Sequence, residues 1–181
     1  MNWEFDILDY IQNIRTDELD FIIPFITKLA NGGIIWVVLC IALLISPKTR
    51  KAGILVAIAL VTESIVCNLL IKPFVARTRP YDINTSVKLL IGRQIDYSFP
   101  SGHTSASFAV AFALLAAKYK KLFIMTFILS VLIAFTRLYL YVHYPTDILA
   151  GMIIGIVFGL LSAPIYDFLT KKYNTKKGLQ K

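Results

Sequence analysis

The 181-residue chain contains only two histidines, and each sits in a polar cluster beside an apolar run. In TRLYLYVHYPTD (136–147), Arg137 lies six residues before His143 and Asp147 four after it. Pro145 suits the first turn of a helix, so Asp147 falls in that turn and can reach back to the imidazole. A carboxylate on one ring nitrogen fixes the tautomer and frees the other nitrogen to attack. A capping aspartate beside an interfacial histidine is the other reading of the same residues. The second histidine, His103, ends PSGH (100–103), where Ser101 and Gly102 put small residues at a helix start with unpaired N–H groups. Such a start is a ready anion site, and Gly102 lets a ligand approach the backbone closely. A simple Ser101 cap also fits, but a cap has no use for His103. In KPFVARTRP (72–80), Lys72 and Arg79 are seven residues apart, close to two helical turns. If the segment is helical they share a face and Arg77 points away. A basic rim against lipid head groups is the alternative.

The elements that hold these residues are apolar. The chain is 57% hydrophobic, with a mean hydropathy of +0.68. About 20 mostly apolar residues make a membrane span, and stretches 29–46, 52–71, 122–141 and 148–168 come close, with 102–117 at the short end. These stretches lack the polar face of a soluble helix. The expectation is all-α: a polytopic membrane helix bundle of about five transmembrane helices in a single domain, 1–181. At its start, Trp3, Ile7, Ile11 and Ile14 recur at helical spacing, so residues 1–20 are expected to form an interfacial helix.

Charge orients the bundle. Lys48, Arg50 and Lys51, then Lys118, Lys120 and Lys121, then Lys171, Lys172, Lys176, Lys177 and Lys181 fall in three segments without acids. The positive-inside rule puts these on the cytoplasmic side, including the tail at 170–181. The loops 72–101 and 142–147 are then outside, so every candidate residue gathers at the outer boundary. Topology and anionic lipid account for the net charge of +8, and no nucleic-acid partner is expected. The first 20 residues carry six acids and no basic start, so no cleavable signal peptide is expected. Cys40 and Cys67 read as packing residues. Glu63, buried mid-span, reads as a structural hydrogen-bonding group. Gly151, Gly155 and Gly159, every fourth residue, make a face for close helix packing, either within the bundle or across a homodimer. The long outer segment 80–99, with VKLLIG at its centre, is expected to lie on the interface and gate lipid entry.

Lys72…Arg79-Pro80, Pro100-Ser101-Gly102-His103 and Arg137…His143…Asp147, in this order, resemble the three signature motifs of the type 2 phosphatidate phosphatase (lipid phosphate phosphatase) superfamily. The joint match is far more specific than any one motif. One departure is Thr136, where the family usually has Ser; both carry a hydroxyl. Longer members resemble a six-helix bundle, and here the first element is reduced to the N-terminal helix.

The resemblance implies a lipid phosphatase. His143 would attack phosphorus to form a phosphohistidine, with Asp147 holding the imidazole. His103 would protonate the leaving oxygen and then activate water. Lys72, Arg79, Arg137 and the backbone at Ser101 and Gly102 would bind the phosphate, since phosphoryl transfer needs mainly positioning and charge stabilisation. No carboxylate cluster of the kind magnesium prefers is present, so no metal or other cofactor is expected. The outward site in a short chain resembles bacterial undecaprenyl-diphosphate phosphatases. Phosphatidylglycerophosphate, phosphatidate and diacylglycerol diphosphate are other family substrates. Phosphotransfer to a lipid hydroxyl and non-catalytic binding are rival readings. Soluble vanadate haloperoxidases share related motifs but not five spans.

Overall fold

A computed structural model describes residues 3–178. The last residues of the expected basic tail, Lys181 among them, lie outside that range. Among the described residues all regular structure is helical. Helix α1 (Trp3–Asn13) starts with Glu4 and Asp6, favourable at a helix N-terminus. It buries Leu8 and Ile11 and leaves Trp3 and Ile7 outward. Helix α2 (Asp17–Leu29) begins afresh where Thr16 Oγ1 accepts the Leu19 N–H at 3.3 Å. Residues 1–20 are thus not one interfacial helix. The run Thr16-Asp17-Glu18-Leu19-Asp20 is a helix start, with a hydroxyl cap and acids in the first turn.

Helix α2 meets α3 (Ile34–Ile45) at a 43° bend. The bend passes through Gly32 and Gly33 at φ of 59° and 71°, a region that favours glycine. The span expected at 29–46 is therefore a bent pair, not one helix; α3 alone, with 12 residues, covers about 18 Å of the ~30 Å hydrocarbon core. Helix α4 (Arg50–Ser64) runs on through a π-helical stretch, Ile65–Ile71, into α5 (Lys72–Val75), with a short α6 (Pro80–Ile83) after it. That rod, α8 (Lys120–Tyr139) and α9 (Pro145–Gly178) are long and apolar enough to cross a membrane. With the bent pair this makes up to four spans by length. The fifth expected span, α7 (Gly102–Ala116), has 15 residues, about 22 Å. It can be short because protein surrounds it: α4, α8 and α9 pack on it, and Phe108, Ala109, Val110, Ala113 and Leu114 are buried.

The glycine face of α9 is an internal contact. A β-carbon on Gly151 would stand 2.6 Å from Ser101 O and one on Gly159 2.7 Å from Ala109 O, both on the α7 side. Missing side chains let the two backbones touch, which is how helices gain packing where lipid offers no hydrophobic drive. Cys40 and Cys67 are free and buried. Phe21, Ile41, Leu69, Phe74 and Ile153 are exposed around the bundle, as lipid-facing residues are.

A second cluster caps the end of the bundle, where Leu8, Ile11, Tyr81, Tyr139, Tyr141 and Tyr144 pack together. Val87, Leu89, Leu90 and Ile91, the VKLLIG stretch, rest on this cap. The part of the segment that reaches the polar centre is further on, at Asp96–Ser98.

Candidate active site

Lys72 starts α5 at the end of the π-helical stretch, where its amide donates to Cys67 O, five residues back. Such wide turns recur at functional sites. The helix stops at Val75, and Ala76 takes a left-handed φ of 48°. Lys72 and Arg79 therefore do not share a helical face, yet they converge: Lys72 Nζ lies 2.5 Å from Asp96 Oδ2 and Arg79 Nη2 2.6 Å from Asp96 Oδ1. Both cations are buried. Arg79 also donates to Val142 O at 2.7 Å, and its Nη1 is 3.5 Å from His143 Nε2.

The α8–α9 loop holds His143, which is 1% exposed. Its Nδ1 lies 3.4 Å from Asp147 Oδ2, without hydrogen-bond alignment, and Nε2 faces Arg79. Burial pushes the imidazole down to about 3 against the opposing pull of Asp147, and the Arg79 and Arg137 charges add to the shift. His143 is thus neutral at physiological pH. The Asp147 carboxylate is fully buried and held on all sides: it accepts from the Ser98 hydroxyl, from Tyr144 N–H at 2.9 Å and from Arg77 Nη1 at 2.7 Å.

His103, on the first turn of α7, contacts Asn31 Oδ1 through Nε2 at 3.0 Å. It lines one cavity together with Lys72 and Asp96. Ser101 makes no side-chain cap; its hydroxyl accepts from Thr104 at 3.0 Å and its amide donates to Asp147 O at 3.1 Å. Gly102 sits against Asn68, where a β-carbon would come within 2.8 Å of Oδ1. Arg137, 1% exposed, donates from Nη1 to Thr27 Oγ1 at 2.5 Å, and its Nε has no hydrogen-bond partner. The three segments thus meet at one end of the bundle. Among the described residues no group of three or more His, Cys, Asp or Glu could hold a metal ion.

Two features escaped the sequence. Arg77 does point away from the Lys72–Arg79 pair, but onto Asp147: besides that bond it pairs with Glu4 Oε2 at 2.5 Å and lies 3.7 Å over the Tyr144 ring. Arg77 thus braces the Asp147 carboxylate that lies beside His143, and Glu4 ties α1 to it. Arg77→Ala is expected to lower kcat about 10- to 100-fold with little change in KM, since a charge-assisted bond of ~1.5–3 kcal/mol orienting Asp147 is lost. Arg77→Lys should recover part of kcat; equal kcat for Ala and wild type would remove the role. The other feature is Asp96, an acid in a segment whose pattern marks no helix or turn there. No local signal could assign either contact, because their partners lie from 17 to 73 residues away.

A cavity of about 640 Å³ opens from this end. Lys72, Asp96, Gly102 and His103 line its polar mouth; Val37, Leu60, Val61, Ile65, Leu69 and Ala106 are among its apolar walls. Glu63 also lines it and accepts from Ser105 Oγ at 2.6 Å.

The model of the PAP2 superfamily matches residues 50–171, which include all three segments. An undecaprenyl-diphosphatase of Sulfolobus acidocaldarius is 34% identical over 161 residues, covering 89% of this chain and 76% of the relative. The undecaprenyl-diphosphatase BcrC of Bacillus subtilis is 32% identical over 151 residues, covering 83% and 77%. The crystal structure of a transmembrane PAP2 type phosphatidylglycerolphosphate phosphatase from Bacillus subtilis superposes with a TM-score of 0.71 at 25% identity, over 91% of this chain and 84% of that one. With the fold, the converging segments and the match through most of its length, this chain belongs to the PAP2 superfamily and is a multi-pass membrane lipid phosphatase.

Proposed function

We propose that the protein removes the terminal phosphate of undecaprenyl diphosphate, through a phosphohistidine on His143, at the outer face of the membrane. The observation that carries this reading is the joint geometry of seat and slot. Lys72, Asp96 and His103 line a cavity whose walls are largely apolar, and Arg79, which shares Asp96 with Lys72, stands 3.5 Å from His143 Nε2 behind them. An amphipathic lipid with a charged terminus has the complementary shape. The two undecaprenyl-diphosphatase relatives favour that lipid over phosphatidate or phosphatidylglycerophosphate.

His143 Nε2 attacks phosphorus, an N–P bond forms, and the bridging P–O bond breaks. His103 gives its proton to the departing oxygen. Water, losing a proton to His103, then cleaves the N–P bond and releases phosphate. Lys72, Arg79 and Arg137, whose Nε is unpartnered, neutralise the equatorial oxygens, helped by the amides of Gly102 and His103. Asp147, held by Arg77, Ser98 and Tyr144 N–H, keeps the imidazole in place. No step needs a metal.

The orientation rests on charge. Tyr119 Oη donates to Lys48 O at 2.6 Å, joining the two basic loops. They lie at the opposite end of α7 from Gly102, so a cytoplasmic basic end puts the site outside.

Purified protein, assayed with EDTA across undecaprenyl diphosphate, phosphatidate, diacylglycerol diphosphate and phosphatidylglycerophosphate, should release phosphate fastest from the first. A faster rate with a glycerolipid would overturn the substrate. Activity lost in EDTA and restored by magnesium would overturn the metal-independent route.

A further inference from the structure

The two cations that face the phosphate are already bridged by an acid. Asp96 puts one carboxylate oxygen 2.5 Å from Lys72 Nζ and the other 2.6 Å from Arg79 Nη2. Its backbone carbonyl accepts from Arg79 Nε at 2.9 Å and that of Tyr97 from Arg79 Nη2 at 3.2 Å, so the carboxylate is on a short tether. The side chain is 47% exposed, at the mouth of the cavity. Burial alone would raise its pKa, but Lys72 and then Arg79 hold it down to about 2, and it is ionised at any working pH. A group of the substrate's own sign thus occupies a seat built for anions.

We propose that Asp96 is a specificity-determining residue: a tethered anion that fills the seat between Lys72 and Arg79, yielding it to terminal phosphates and keeping it from the phosphodiester head groups of bulk lipid. This rests on the reading of that seat as the phosphate site. The discrimination follows from charge. A phosphodiester carries one negative charge, so exchanging it for the Asp96 carboxylate gains nothing from the cations. A terminal phosphate, with a second pKa near 6, carries about −1.5 to −2 at neutral pH, so the exchange adds attraction. Bulk lipids outnumber the substrate in any leaflet, and a penalty on the wrong ligand is then as useful as contacts to the right one. A ligand that needs the open seat has its affinity reduced by the fraction of time the seat is open.

If Asp96 merely braces Lys72 and Arg79, removing it should loosen the seat and weaken anion binding. The two accounts predict opposite signs. The full chain in neutral detergent is titrated calorimetrically with inorganic phosphate and, separately, with short-chain phosphatidylglycerol as the phosphodiester probe. Asp96→Asn, isosteric and neutral, is expected to bind phosphate about 10- to 100-fold more tightly, as for a seat open ~1–10% of the time. It should also acquire binding of phosphatidylglycerol that the parent lacks. Asp96→Ser should behave in the same way, and Asp96→Glu, which keeps the charge, should stay close to the parent. Unchanged or weaker phosphate binding in the folded Asn and Ser variants would overturn the proposal. So would tighter phosphate binding without phosphatidylglycerol binding, which removes the filter. Failure of every folded protein, the parent included, to bind phosphate would overturn the phosphate seat itself, and this inference with it.

Discussion

His143→Ala is expected to reduce phosphate release by a factor on the order of 10⁴ or more, the size of effect seen when a nucleophile is removed from a set that acts as a unit. His143 is 1% exposed, and its Nδ1 has no hydrogen-bond partner. The substitution therefore removes only the long Arg79 Nη1–Nε2 contact of 3.5 Å and leaves a small cavity, so the variant should still melt cooperatively in detergent. Radiolabelled substrate separates roles. A labelled, acid-labile protein adduct should be absent from His143→Ala. In His103→Ala it should form more slowly but persist once formed, because the first step lacks its acid and the second its base. Near-normal turnover by His143→Ala, or label on that variant, would remove the nucleophile assignment.

The largest effect on stability is expected at Gly155. A β-carbon there would collide with Ser105 O, stand 2.8 Å from Phe108 Cβ and 2.9 Å from Ala109 N. Two of these three are backbone atoms of α7 and the third is a β-carbon, so no rotamer change relieves them and the helices must separate. Gly155→Ala should cost about 2 kcal/mol or more, at the upper part of the range for overpacked cores, seen as a lower Tm in detergent. Gly92→Ala, with nothing within 4 Å of the new carbon, is the control and should leave Tm unchanged. Activity should fall with Gly155→Ala as well, because α7 carries Gly102 and His103, α9 carries Asp147, and Ser101 N–H to Asp147 O is the bond between their starts. An unaltered Tm would mean that the α7–α9 contact is looser than described.

Some of this was legible in the chain because the signal is local. A helix that must satisfy its own backbone in lipid is recognised by composition alone. That is why α4, α8 and α9 start within three residues of the expected stretches. The motifs were legible because each lies within ten or so residues. Where local signals competed, the reading slipped. Apolar spacing at Trp3, Ile7, Ile11 and Ile14 suggested a single helix, but the Thr16 cap and the acids after it start a second one. The apolar average of the stretch from residue 29 outweighed the Asn31-Gly32-Gly33 break inside it, where a positive φ is available at no cost and the chain bends.

By itself the sequence determined an apolar helical bundle, the residue types of a phosphoryl-transfer site and the end of the molecule that carries them, because those depend on composition and short spacing. Only the tertiary structure decided how the pieces meet. It turned Arg77 onto Asp147, laid Asp96 across Lys72 and Arg79, and pressed the glycines of α9 against α7. Each of these depends on which distant backbones come together, and that is fixed by packing and charge pairing across the whole bundle rather than by any stretch of the chain.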